Sequence, residues 1–297
     1  MNVLVTGATG YIGSAVAEAL QTAGHQVIGL ARSDDSAHKL ESRGIQVRRG
    51  DLRHPASLAE AIQDVDAVIH TASTNDADMA QAERSAVKTI LAALSGTGKT
   101  FIYTTGTWLL GNTGDRVATE DSPLDPTPLI AWRAELEELV LSGRDHHIRT
   151  IVIRPALVYG QGGGIVAMMV QSASQYGVVQ YVGTGENRWT LIHVEDLSRC
   201  YVAALEHAQS GSLFIAADDQ VIRLREIAQL VSQATGIPGR VQPWHLDEAR
   251  AAMGAFADAL ALDQQVNGAK AKQALNWQLQ ALSLVDELTG GSYVVTR

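Results

Sequence analysis

The chain has 297 residues, 46% of them apolar and 19% charged, with a formal net charge of −9. The acidic balance argues against a nucleic-acid or anionic-membrane surface, and no run approaches the roughly 20 apolar residues of a membrane helix. A single cysteine, Cys200, leaves no internal disulfide framework and fits a reducing, cytoplasmic setting. Along the chain, Val3 to Val5 form a β-branched run, and Ile12, Ala15, Val16, Ala19, Leu20 and Ala23 recur at helical spacing up to Gly24. Strand-like and helix-like segments then alternate. Strands are expected at 26–31, 45–48, 67–70, 100–105 and 149–154, and helices at 34–43, 55–62, 76–94 and 129–141. Such alternation predicts an α/β fold, a doubly wound parallel sheet with ligands at the carboxyl ends of its strands. Past Pro155 the pattern loosens and glycines accumulate at 160, 162, 163, 164, 183 and 185. The division expected is a sheet domain over 1–159 and a smaller C-terminal substrate lobe over 160–297, with about 189–218 returning to the first domain. The Ala-rich stretch 247–262 reads as helical, a lid or a dimer contact.

The first turn of this pattern carries the most chemical information. Gly7, Gly10 and Gly13 stand between a strand and a helix N-terminus. The unpaired N–H groups of a first helical turn face such a loop, and missing Cβ atoms let a diphosphate reach the backbone. The expected ligand is a dinucleotide.

Five segments, taken in order, resemble the extended short-chain dehydrogenase/reductase family, also called the NAD-dependent epimerase/dehydratase family. They are Val5-Thr-Gly-Ala-Thr-Gly-Tyr-Ile-Gly13, Gly50-Asp51-Leu52, Val68-Ile-His-Thr-Ala72, Arg154-Pro-Ala-Leu-Val-Tyr-Gly160 and His193-Val-Glu-Asp196-Leu. The resemblance implies a Rossmann domain, an NAD(P) cofactor, a small-molecule substrate and often a homodimer. It assigns cofactor contacts to Gly7, Thr9, Gly10, Tyr11, Ile12 and Gly13 in the loop. Asp51 and Leu52 fall beside the adenine, Thr71, Ala72 and Ser73 beneath the pyrophosphate and ribose, and Thr104, Pro155 and Val158 towards the nicotinamide. Tyr11 reads equally as a packing residue, and Asp51 as a turn residue before Pro55.

The form of the cofactor is read at the end of the second strand. A carboxylate there would accept the ribose hydroxyls of NAD; this chain has Ala31, followed by Arg32 and Ser33. A guanidinium binds a 2′-phosphate bidentately, so NADP (as NADPH) is expected over NAD. The competing reading of Arg32 is a solvated cation in a turn that also holds Asp34 and Asp35.

The resemblance also implies a Tyr and a Lys one helical turn apart, and here the chain departs from it. Leu129 falls on the Tyr position and Arg133 on the Lys position, and no Tyr lies between Tyr103 and Tyr159. Arg133 could hold the nicotinamide ribose or simply pair with Glu137 one turn on. Gly106 falls on the family's serine, flanked by Thr105 and Thr107, either of which could orient a carbonyl. Tyr159 is the candidate phenolic donor, with packing as its rival role. Trp108 and Trp189 could wall an apolar substrate pocket or belong to the core. His193 reads as a structural hydrogen-bonding residue and His70 as a satisfied core imidazole. No metal-ligand spacing is present. The resulting expectation is an atypical NADP-dependent oxidoreductase acting on a small carbonyl or alcohol, with Thr105, Arg133 and Tyr159 as catalytic candidates. A non-catalytic NADP-binding sensor or partner-binding module is the alternative. A nucleotide-sugar epimerase is a third reading; its diphosphate clamp would have to draw on Arg188 and Arg223.

Overall fold

In the computed structural model, which describes residues 1–218 and 220–294, the short apolar runs become strands and the amphipathic stretches become helices between them. The first half contains β1 (Asn2–Thr6), α1 (Tyr11–Thr22), β2 (Gln26–Ala31), α2 (Asp34–Glu41), β3 (Gln46–Arg49), α3 (Pro55–Ala61), β4 (Ala67–His70), α4 (Met79–Leu94) and β5 (Thr100–Thr104). There follow β6 (Val117–Ala118), α5 (Trp132–Ser142), β7 (Arg149–Pro155), β8 (Leu157–Gly160), α6 (Gly164–Tyr176), β9 (Val179–Val182) and β10 (Arg188–His193). The remainder holds α7 (Val194–His207), β11 (Ser212–Ala216), β12 (Val221–Arg223), α8 (Leu224–Ala234), β13 (Val241–Trp244) and α9 (Leu246–Met253). Last come α10 (Phe256–Leu260), β14 (Gln265–Val266), α11 (Ala269–Leu275) and α12 (Leu284–Gly290).

Seven strands form one sheet in the order β11-β7-β5-β4-β1-β2-β3, and every neighbouring pair is parallel. The order reverses between β1 and β4, which opens a crevice at their carboxyl ends. Strand alternation splits the core between the two faces. Val3, Val5, Ile69 and Ile151 pack towards α1 and α7, whereas Leu4, Val68, Phe101 and Val152 pack towards α3, α4 and α5. A separate core joins α6, α8 and the three-stranded sheet β12-β10-β8. Within 189–218, α7 packs on α1 and β11 pairs with β7, while β10 stays in the smaller sheet.

Most element ends fall within two residues of the sequence reading, and three differences are larger. Helix α4 starts at Met79, because the Asp76 carboxylate accepts from the Thr74 hydroxyl and the Asp78 N–H and holds a turn there. Helix α5 starts at Trp132. Pro128 bars Thr127 from the helical region, and the chain descends through i→i+3 bonds, Ile130 to Thr127 and Arg133 to Ile130, before regular helix begins. The stretch 247–262 is two helices, broken at Gly254, whose φ of 63° is left-handed.

Candidate functional site

The glycine loop is built as its spacing predicts. Gly7 has φ +77°, and a Cβ there would lie 2.8 Å from the Ala72 backbone. A Cβ on Gly13 would collide with the Gly7 carbonyl oxygen, so β1 and α1 can meet this closely only through glycine. At Gly10, the N-cap of α1, a Cβ would meet only that carbonyl, at 3.2 Å, and the loop is open on its outer side. The first-turn N–H groups of α1 lack intrahelical acceptors and face this opening.

Two cavities flank the loop. The smaller, about 220 Å³, is lined by Gly7, Thr9, Arg32, Ser33, Asp51 and Leu52 among others. Asp51 lines this cavity and also accepts from the Arg53 N–H at 2.9 Å in a turn. Ser33 caps α2 through a reciprocal pair with Ser36. The two acids of that turn are neutralised, Asp34 by Arg49 at 2.5 Å and Asp35 by Lys39 at 2.7 Å. Among the described residues Arg32 has no ion-pair partner.

The larger cavity, about 750 Å³, opens at the carboxyl ends of β1, β4, β5 and β7. It brings together Tyr11, Ile12, Thr71, Ala72, Thr104, Thr105, Thr107, Trp108, Leu129, Arg133, Pro155 and Val158 from distant parts of the chain. Ala72 and Ser73 line both cavities, and among the described residues the buried Ser73 hydroxyl has no partner. An open glycine loop, free helix N–H groups and an orphaned hydroxyl between two connected hollows fit an extended diphosphate-bridged dinucleotide. Tyr11 donates to the Gly160 carbonyl at 2.8 Å and packs its ring on Gly163 and Gly164. It is thus a packing residue as well as part of the cavity wall.

The threonine trio is resolved by its hydrogen bonds. The Thr104 hydroxyl is bonded to Tyr201 at 2.6 Å. The Thr105 hydroxyl donates to Glu137, whose carboxylate also receives Arg154 at 2.5 Å. The expectation that Thr105 orients a substrate is corrected: its proton is committed to a buried ion pair. Thr107 keeps an uncommitted hydroxyl at the cavity wall. Its turn is fixed from below, where Gln264 donates to the Thr107 and Gly111 carbonyls at 2.8 and 2.9 Å.

Tyr159 is not presented to the cavity. Neighbours on a strand point to opposite faces, and Val158 faces the cavity. Tyr159 therefore enters the second core, where its hydroxyl donates to Leu282 at 3.0 Å and its ring meets His193 edge-on. Burial pushes its phenol well above the ordinary range. Trp189 is displaced too: it walls a separate cavity in the second lobe, while Trp108 stands in the main one, edge-on to Phe256 at 5.8 Å. His193 accepts from the Glu195 N–H and faces Glu287 at 3.1 Å, a structural arrangement.

Arg133 reaches the wall of the cavity, but its partner is Glu83 at 2.9 Å, not Glu137. Glu83 in turn accepts from Tyr103 at 2.6 Å. Burial raises the Glu83 carboxyl above the ordinary carboxylate range, against the opposing pull of Arg133. His70 is only half satisfied: Nδ1 meets the Thr6 hydroxyl at 2.6 Å, and buried Nε2 has no partner. Sequence reasoning missed Glu83, and no local signal marks it, since it stands 50 residues from Arg133 on a different helix. Ile165, Met168 and Phe256 were missed likewise; their apolar periodicity reads as core.

Comparison with known proteins places this geometry. Residues 3–216 match the model of the NAD dependent epimerase/dehydratase family. The chain is 31% identical over 296 residues to an uncharacterized protein of Saccharomyces cerevisiae, covering 97% of this chain and 98% of that one. It is 26% identical to a 4-hydroxy-2-methyl-3-oxo-4-farnesyl-3,4-dihydroquinoline-1-oxide ketoreductase of Stigmatella aurantiaca, over 85% of this chain and 78% of that one. The fold is similar to that of UDP-glucuronic acid 4-epimerase from Bacillus cereus, with TM-score 0.83, 20% identity, and 99% and 98% of the two chains covered.

Proposed function

The chain belongs to the NAD-dependent epimerase/dehydratase family, and from that premise we propose an NADP-dependent oxidoreductase that interconverts a carbonyl and an alcohol. The observation that carries this reading is the cavity at the strand ends, continuous with the glycine loop and furnished, among the described residues, with the uncommitted hydroxyls of Ser73 beside the loop and Thr107 at the far wall and with one cation, Arg133. The Stigmatella relative, a ketoreductase by name, favours the same reaction type.

The loop residues and the α1 N-terminus would hold the diphosphate, Asp51 and Leu52 the adenine end, and Pro155 and Val158 the nicotinamide end. Bound there, the nicotinamide supplies or accepts the hydride. The protein's own contribution is orientation and charge. Thr107 donates a hydrogen bond to the substrate oxygen, and Arg133, held by Glu83 and lying over the Trp132 ring at 5.0 Å, puts positive potential at the wall where negative charge develops. A guanidinium stays charged at neutral pH, so it stabilises the oxygen without acting as the proton donor. The proton comes from solvent entering the open cavity.

The preference for NADP rests on Arg32, free beside a cavity that also holds Ser33, with the nearby acids already paired. The test is titration with NADPH and NADH alongside hydride exchange with a carbonyl panel. Arg32→Ala is expected to weaken NADPH binding about 10- to 100-fold while sparing NADH, the usual worth of hydrogen bonds to a charged group. Thr107→Val is expected to lower kcat/KM about tenfold or more with cofactor binding intact. Equal losses for both cofactors would overturn the NADP assignment. Tight cofactor binding with no hydride exchange on any carbonyl would overturn the enzyme reading.

A further inference from the structure

The main cavity borders helix α6. Ile165 and Met168 line it on one side, and the same two side chains line a second cavity of about 250 Å³. Met169, Tyr181, Trp189, Trp244, Met253 and Leu260 wall that second space. Helix α6 borders both hollows, and its 13 residues at the helical rise give a wall roughly 20 Å long. Met168, at the junction, is 45% exposed, an apolar surface that a bound chain would cover.

Charge is missing from this path. Among the described residues no ionised side chain lines the second cavity, and the first has only Asp76 and Arg133. Both are already paired, Asp76 with Arg53 and Arg133 with Glu83. Four arginines around the lobe are paired as well, and Arg240 lines neither cavity. Arg188 is held by Asp115 and Asp263, Arg223 by Glu226, Arg225 by Glu186 and Arg250 by Asp258. A diphosphate or carboxylate carried into the second cavity would lose its hydration without gaining a counter-ion. Apolar surface, by contrast, gains with every methylene removed from water.

We infer that the substrate is an uncharged compound with a long apolar arm. Its carbonyl or hydroxyl end lies at Thr107, between Trp108 and Arg133, and the arm passes over Ile165 and Met168 into the second cavity. This inference rests on the oxidoreductase reading of the main cavity. The experiment separates the two. Binding of straight-chain methyl ketones from butanone to dodecanone is followed by tryptophan fluorescence, with and without NADPH, because Trp108, Trp189 and Trp244 line the path. UDP-glucose serves as the charged comparator, and hydride exchange is measured on the same series. Affinity is expected to rise about fourfold per added methylene until the second cavity is filled, and UDP-glucose is expected to bind more weakly than the long ketones. Met253→Trp, which fills the second cavity, is expected to flatten the upper part of the series. A flat series in the wild-type protein, an undiminished series in Met253→Trp, or tighter binding of UDP-glucose would each overturn the inference. Chain-length-dependent binding without hydride exchange would uphold it and overturn the proposed function. Turnover with equal KM along the series would do the reverse.

Discussion

His70 shows how much one buried ring can contribute to pH behaviour. Its Nδ1 shares a hydrogen bond with Thr6, its Nε2 has no partner, and the ring lies 5.9 Å from that of Tyr103. Burial, helped by the nearby Arg133 charge, pushes its pKa down from 6.5 to about 3. The unfolded chain therefore takes up a proton below its ordinary value that the folded chain refuses until about pH 3. This group's stabilising contribution is complete above the unfolded value. It is lost as pH falls through the window between the two, by up to about 1.4 kcal/mol per pH unit. His70→Asn keeps a group able to bond Thr6 but does not titrate. Urea unfolding between about pH 7 and about pH 4 is expected to show the wild type losing about 2–3 kcal/mol more than this variant. Equal acid losses would show that His70 is not held neutral. At Gly106 the opposite lesson holds. A Cβ there would find its nearest neighbour, the Pro155 oxygen, at 3.9 Å, so the absence of a serine is not imposed by space.

At the scale of elements, α5 is fastened to β7 by a buried ion pair as well as by the apolar packing of Leu136 and Val140. Glu137 receives Arg154 Nε and Nη2 at 2.9 and 2.5 Å, together with the Thr105 hydroxyl, and both charged side chains are almost fully buried. Removing one member of a buried pair leaves the other charged and dry. Glu137→Ala is expected to cost about 3–5 kcal/mol in chemical denaturation, with Glu137→Gln costing less because the amide oxygen still accepts. A loss below about 1 kcal/mol would mean that water reaches Arg154. The sequence made the existence of α5 clear but not its start. Pro126 and Pro128 were visible, yet whether the following residues continue as regular helix or as i→i+3 turns depends on how the segment meets the cavity wall. The β-strands were more legible, since a short β-branched apolar run is a local property and a parallel sheet covered on both faces uses it directly.

Across the whole molecule, the C-terminal segment clasps the loop that rests on the cofactor site. Tyr293 accepts from the Gly160 N–H at 2.7 Å and donates to the Gly163 carbonyl at 2.6 Å, and Ser292 accepts from Gly162 at 2.7 Å. Tyr11 reaches the same loop from the glycine turn. Burial, with only partial relief from the Gly160 bond, raises the Tyr293 hydroxyl to about 12, so it keeps its donor proton at any ordinary pH. Tyr293→Phe leaves a buried N–H and a carbonyl without partners. A loss of about 1–3 kcal/mol of stability is expected. A severalfold weaker NADPH affinity with an unchanged NADPH-to-NADH ratio is expected alongside it. Isothermal titration paired with thermal unfolding checks both, and unaltered cofactor affinity would show that the clasp serves the second core alone.

The sequence by itself determined the parallel α/β sheet, the glycine loop at its first strand and the place of Arg32 in the turn after its second. Each of these depends on residues within a few positions of one another, where backbone sterics and periodicity act directly. Only the tertiary structure decided which of the three threonine hydroxyls is uncommitted, which way Tyr159 points and what holds Arg133. Those outcomes are competitions for hydrogen-bond partners among Thr104, Thr105, Thr107, Tyr201, Glu137 and Glu83, residues up to 118 positions apart. Packing alone brings them within reach, and no local pattern records the result.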